Sequence, residues 1–77
     1  MTYSLVIKID NSDPKYVNGI DSWDKVKENL KNDLPLRTIF VDIYKFSKNN
    51  KCLGHRLVSM RNLYQVVTSD SDKYILI

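Results

Sequence analysis

Two strand-forming runs in the middle of the chain, separated by a short polar segment, restrict its fold more than any other feature. Residues 38–47 and 52–60 are rich in β-branched and aromatic side chains, which favour strands. The segment between them contains Asn49-Asn50, and asparagine tolerates the positive φ of a two-residue type I′ turn. We therefore expect a β-hairpin, and its register pairs Phe46 with Leu53, Tyr44 with His55, Asp42 with Leu57, and Phe40 with Ser59.

Two segments ahead of the hairpin have clear periodicity. Residues 3–9 alternate in side-chain type, which predicts a half-buried strand with one inward face. Residues 22–33 carry apolar side chains three and four positions apart, at Trp23, Val26 and Leu30, which predicts a helix with one apolar stripe.

The remaining segments are less regular. Residues 10–22 are rich in Asp, Asn, Pro and Gly, which predicts a loop. Residues 63–68 predict a further strand, or, over 61–67, the start of a short helix, and residues 73–77 predict a last short strand.

These elements together predict one α+β domain over residues 1–77. We expect one helix packed on a mostly antiparallel sheet of 4–5 strands, in the order β-α-β-β-β(-β). If the strands on either side of the helix lie parallel, their crossover is expected to be right-handed.

Positive charge is concentrated in the hairpin and the segment that follows it. Residues 43–69 contain five basic side chains and no acidic one, whereas the rest of the chain carries seven basic and nine acidic residues. Such a segment is typical of proteins that contact nucleic-acid phosphates, although lysines at an exposed tip also discourage edge-to-edge aggregation. Under the first interpretation the nucleic-acid-binding residues are Lys45, Lys48, Lys51, Arg56 and Arg61.

The hairpin carries apolar side chains on both of its faces. Ile39, Val41 and Ile43 form one face, and a single helix can cover only that side of the sheet. The opposite side needs another contact: residues 10–20 or the C-terminal segment, a second copy of the chain in a homodimer, another protein, or unpaired bases stacked on its rings. The candidate protein-interface residues on that side are Phe40, Tyr44, Phe46, Leu53 and Leu57.

Motifs for catalysis or metal binding are missing from the sequence. Two glycines cannot form a Gly-rich phosphate loop, and one Cys with one His gives no zinc-binding spacing. Cys52 and His55 could suggest a nucleophile and its base, but side chains at i and i+3 of a strand point to opposite faces. We therefore expect no catalytic residue, no metal, no cofactor and no enzymatic activity.

Cysteine content and hydropathy bear on the location of the protein. A secreted chain of this size usually needs disulfides, and Cys52 is the only cysteine. The N-terminal residues MTYSLVIKID lack the features of a signal peptide, and no apolar stretch approaches the roughly 20 residues that span a bilayer. These features predict a cytoplasmic protein without a membrane partner.

Composition also indicates a class of protein. The chain is rich in Lys, Asn, Asp, Ile and Tyr and contains no Ala. In composition and size it resembles the small early host-takeover proteins of large, AT-rich, T-even-like bacteriophages. The resemblance implies an inhibitor or regulator of a host protein, acting in the host cytoplasm, and matches no residue to a function. The positive charge and the second apolar face make the hairpin at 38–60 the expected site of action. The alternative is binding of RNA or single-stranded DNA, with or without a toxin or nuclease as a second partner.

Overall fold

An antiparallel sheet of four strands forms the centre of the protein in a computed structural model that describes residues 1–73. In the spatial order β2-β1-β3-β4, the strands are β1 (Thr2–Ile9), β2 (Lys15–Ile20), β3 (Thr38–Phe46) and β4 (Cys52–Ser59). Two helices complete the fold: α1 (Trp23–Asn32) and α2 (Leu63–Val67), the latter preceded by a 3-10 turn at Met60–Asn62. The predicted α+β class with an antiparallel sheet is confirmed.

Helix α1 forms where the apolar periodicity predicts it. The Ser22 side chain accepts a hydrogen bond from the backbone N–H of Lys25 at 3.1 Å, and Asp24 places a negative charge in the first turn. Val26 and Leu30 are buried, so the predicted apolar stripe is the side of the helix that packs on the sheet.

The core lies between the two helices and one face of the sheet. Val41 and Ile43 are fully buried there, as the hairpin pattern predicts, whereas Ile39 is 45% exposed at the start of β3. Strand β1 contributes alternate residues, which is the expected pattern of a half-buried strand. The buried apolar side chains are Tyr3, Leu5, Ile7, Ile20, Val26, Leu30, Val41, Ile43, Val58 and Val66.

The segment at 10–22 is not only a loop, because it contains strand β2. Val17 pairs with Leu5 and Ile20 pairs with Tyr3, so two residues of β2, Asn18 and Gly19, lie opposite one residue of β1, Ser4. This bulge includes Gly19, whose φ of +71° suits a residue without a side chain. The extra residue breaks the alternation of the strand, and the sequence pattern therefore fails to indicate it.

The segment at 63–68 is a helix rather than a strand. Leu63, Val66 and Val67 lie three and four positions apart and pack on the core, so the short-helix alternative is the correct one. Apart from Lys73, the predicted strand at 73–77 lies outside the described residues. The conditional parallel crossover does not occur, since β1 and β3 are antiparallel neighbours.

The hairpin formed by β3 and β4 has most of the expected register but a longer turn. Phe40, Asp42 and Tyr44 pair with Ser59, Leu57 and His55 as predicted. Phe46, however, pairs with Cys52 instead of Leu53, because a bulge at Leu53 shifts the register. The turn spans residues 47–51, and only its Asn50 has a positive φ, of 60°. The Ser47 carbonyl accepts a hydrogen bond from the Asn50 N–H at 3.0 Å.

A cluster of polar side chains joins the two ends of the described chain on the helix side of the sheet. The Tyr3 hydroxyl donates a hydrogen bond to Asp72 Oδ2 at 2.6 Å, and Lys45 forms an ion pair with the same carboxylate. Burial opposes ionisation of Asp72, but the hydrogen bonds from Lys45 and Tyr3 outweigh it and lower the pKa of this carboxyl. The stability that Asp72 contributes is therefore present above its ordinary pKa of 3.8 and lost as the pH falls below it.

The same cluster predicts sensitivity to alkaline pH. Burial, with the hydrogen bond to Asp72, raises the pKa of Tyr3 above its ordinary value of 10.0. A raised pKa in the folded state means that stability is retained below pH 10.0 and falls as the pH rises above it. We expect the unfolding free energy of Tyr3→Phe, measured by urea denaturation from pH 8 to about 11, to depend less on pH than that of the natural chain.

A matched variant controls for the other tyrosines. Tyr64 is 76% exposed on α2, so Tyr64→Phe should leave the pH profile unchanged. Identical profiles for Tyr3→Phe and the natural chain would contradict the assigned role of Tyr3.

Candidate binding surface on the open face of the sheet

The described residues cover only one face of the sheet. Both helices pack on the side that carries Leu5, Val41 and Ile43, and no element within residues 1–73 packs on the other side. Residues that pair across strands share a face, so the pairings define which side chains point outward. The outward-pointing set, called the open face below, comprises Thr2, Ser4, Val6, Lys8, Tyr16, Phe40, Asp42, Tyr44, Phe46, Cys52, His55, Leu57 and Ser59.

Three rings on the open face form a stack. The Tyr44 and His55 centroids are 4.8 Å apart with planes inclined by 13°, and the Tyr44 and Phe46 centroids are 6.4 Å apart with planes inclined by 15°. Tyr44 thus lies between a ring of its own strand and a ring of β4. Such contacts restrict the rotamers of all three rings, so the arrangement of this surface is preorganised.

A carboxylate anchors this stack. Asp42 Oδ1 lies 3.0 Å from His55 Nδ1, and the hydrogen bond between the Tyr44 hydroxyl and Asp42 raises the pKa of Tyr44. The Asp42 side chain is only 18% exposed, and its carboxylate contacts both His55 and Tyr44 on the same face. Asp42 therefore holds the rings in place and is not a free anionic site.

The predicted interface residues lie on the open face, with one exception. Phe40, Tyr44 and Phe46 are half-buried there, and Leu57 is 57% exposed. Leu53 is 39% exposed but occupies the bulge of β4, next to Gly54 rather than opposite Phe46. The predicted pairing of Leu53 with Phe46 is wrong, because sequence alternation gives no sign of this bulge.

The five predicted nucleic-acid-binding residues do not form one patch. Lys45 is buried, with 7% exposure, and its ammonium group pairs with Asp72 on the helix side, so it is not accessible to phosphate. Arg56 is exposed but pairs with Ile43 in the sheet, which places it on the helix side as well. Lys48 and Lys51 are exposed at the hairpin tip, beyond Phe46, whereas Arg61 follows the opposite end of β4.

The bulge also corrects the expectation for Cys52 and His55. Cys52 pairs with Phe46 and His55 pairs with Tyr44, so both side chains belong to the open face. The Cys52 thiol is exposed and lies 3.7 Å from the carbonyl oxygen of Gly54. The argument that the i, i+3 spacing separates the two side chains is therefore wrong for this strand.

Tyr16 and Val6 are among the open-face residues that the sequence did not predict as interface residues. Tyr16 and Val6 are paired across β2 and β1, and Tyr16 is 63% exposed. The signal that could have found them is Asn18-Gly19, a dipeptide compatible with a bulge inside a strand.

Comparison with protein-family models, with curated proteins and with solved structures finds no significant match to this chain. Within residues 1–73, no helix has the length and apolar character to cross a membrane. The same part of the chain brings no three His, Cys, Asp or Glu side chains together in a way that could hold a metal ion.

Proposed function

We propose that this chain is a non-enzymatic binding protein that docks another protein on its open face and acts as an inhibitor or regulator of it. The observation that carries the proposal is the exposure of Tyr16 and Leu57, at the two ends of the cross-strand row Tyr16-Val6-Asp42-Leu57, on the same uncovered sheet face as the ring stack. Apolar surface of this kind usually marks an interaction site.

The composition of the open face supports a protein partner. Protein interfaces are enriched in Tyr and Phe and depleted of charge at their centre, with polar groups at the rim. Here Tyr44 lies within the face on the inner strand β3, Phe46 lies at the end of that strand, and Lys48 and Lys51 lie beyond it at the edge. The one acidic side chain among the outward-pointing residues, Asp42, is already engaged by His55 and Tyr44.

Nucleic acid is the less favoured partner. Proteins that bind single strands stack bases on free ring faces and line the path of the backbone with cations. Tyr44 has a neighbouring ring on each side, and only Lys48 and Lys51 of the five predicted cations lie at the end of the open face beside Phe46. Binding of RNA or single-stranded DNA stays a prediction that the experiments below also test.

A cytoplasmic location, within a host cell if the chain is viral, belongs to the same proposal. It is supported by the single cysteine, Cys52, which is exposed and cannot form an intramolecular disulfide.

Two exposed tyrosines provide a matched test of the proposal. We expect Tyr16→Ser, on the open face, to reduce capture of the partner from nuclease-treated native cells by about tenfold, because interface aromatics often contribute 1.4 kcal/mol or more. Tyr64→Ser, at a similarly exposed position on α2, should capture it as well as the natural chain. Both variants should keep their unfolding free energies within about 1 kcal/mol of the natural value.

A photo-crosslinking amino acid identifies the surface directly. At position 57 it should join the chain to a protein, and at position 64 it should not. The proposal would be refuted if position 57 formed crosslinks to nucleic acid alone. It would also be refuted if Tyr16→Ser and Tyr64→Ser captured the protein partner equally well.

A further inference from the structure

Charge is distributed unevenly around the open face. Lys48 and Lys51 are exposed at the hairpin tip, immediately beyond the Phe46 end of the ring stack. No acidic residue occurs between positions 43 and 69, so nothing in that segment neutralises the two lysines. At the other end of the sheet, the turn between β1 and β2 holds Asp10 and Asp13 near Lys8, which gives that end a mixed charge.

From this uneven charge we infer that an acidic segment of a partner protein occupies the open face, with its Asp and Glu side chains over Lys48 and Lys51. This inference rests on the proposed function above. The apolar side chains of the segment then contact the ring stack and Leu57. Complementary charge at the rim increases the rate of encounter and fixes orientation, while the apolar centre supplies most of the affinity.

The arrangement favours acidic polypeptide over phosphate backbone. A nucleic acid carries charge at every nucleotide and would place phosphates along the whole face, including the region of Asp42. An acidic segment of a protein can place its charges at the tip alone and apolar side chains over the centre. The pattern of two cations at one end, with the ring stack directly next to them, matches the second arrangement.

Selection from a displayed library of random 16-residue peptides tests the inference with a defined probe. Peptides that bind the natural chain but not the double variant Tyr16→Ser/Leu57→Ser are those that depend on the open face. We expect these peptides to be enriched in Asp and Glu at least about twofold over the library. Their affinity should fall about tenfold in Lys48→Glu/Lys51→Glu, and it should weaken as salt rises.

A matched variant and a second probe make the outcomes distinct. Lys25→Glu/Lys31→Glu makes the same charge change on α1, behind the sheet, and should leave peptide affinity unchanged. This inference would be overturned if the peptides that depend on the open face were not enriched in Asp and Glu. It would also be overturned if their affinity were unchanged in Lys48→Glu/Lys51→Glu. Either result would leave the proposed function standing. A 12-nucleotide single-stranded RNA that binds the open face when no peptide does would overturn both.

Discussion

Asp72→Asn should destabilise the protein by about 3 kcal/mol, because it leaves the buried ammonium group of Lys45 without its partner charge. The substitution keeps the size of the side chain and an oxygen that can accept the hydrogen bond from the Tyr3 hydroxyl. Loss of charge is thus its main effect. A domain of this length has an unfolding free energy on the order of 4–12 kcal/mol, so the loss is a large fraction of the total. Urea denaturation followed by circular dichroism measures it.

A second substitution distinguishes the ion pair from general damage. Lys45→Met/Asp72→Asn removes both charges and should recover at least half of the lost stability, since a well-packed apolar side chain replaces a buried charge at little cost. Asp70→Asn, at an exposed site two positions from Asp72, should change stability by less than about 0.5 kcal/mol. If Asp72→Asn were as mild as Asp70→Asn, Lys45 would not depend on this carboxylate.

Trp23→Ala should have an effect of similar size, about 3 kcal/mol. The Trp23 ring packs against the core with its centroid 5.9 Å from that of Tyr3, and its Nε1 donates a hydrogen bond to the Ser69 carbonyl at 3.0 Å. This side chain therefore joins the start of α1 to the segment that follows α2. Removing it opens a cavity and leaves a carbonyl group without its donor.

Graded variants separate the two contributions of Trp23. Trp23→Phe keeps most of the packing but loses the N–H donor, so we expect a loss of about 1 kcal/mol. Leu36→Ala, at a side chain that is 92% exposed, should be nearly neutral. Circular dichroism is the suitable measurement, because Trp23 is the only tryptophan and its fluorescence disappears with it. Equal stabilities for Trp23→Ala and Trp23→Phe would show that packing of the ring contributes little.

The sequence correctly predicts those parts of the fold in which the spacing of apolar residues agrees with the pairing of the strands. The open face follows from alternation in β3, where Phe40 and Tyr44 interleave with the buried Val41 and Ile43. The same alternation, together with the position of Asn50, places most of the hairpin register correctly.

The predictions that proved wrong did so for two physical reasons. Bulges in β2 and at Leu53 insert an extra residue into a strand. Side chains that alternate between two faces give no sign in the sequence of where such a residue is inserted. The second reason is tertiary contact: Lys45 is an ordinary strand lysine in sequence, and its burial depends on Asp72, far along the chain. A helix as short as α2 also offers too few residues for its period to be distinguished from that of a strand.

The bulges at Asn18-Gly19 and at Leu53 have a consequence for how the protein avoids unwanted association. They lie in β2 and β4, the outer strands of the described sheet; a third irregularity, at Ile39, lies where the inner strands β1 and β3 pair. A regular outer strand presents a row of free N–H and C=O groups that a strand of another chain can extend into a larger sheet. An inserted residue twists that row and interrupts its spacing. Such interruptions disfavour growth of the sheet in its own plane, so the backbone of its two edges is a poor template for a strand of another chain.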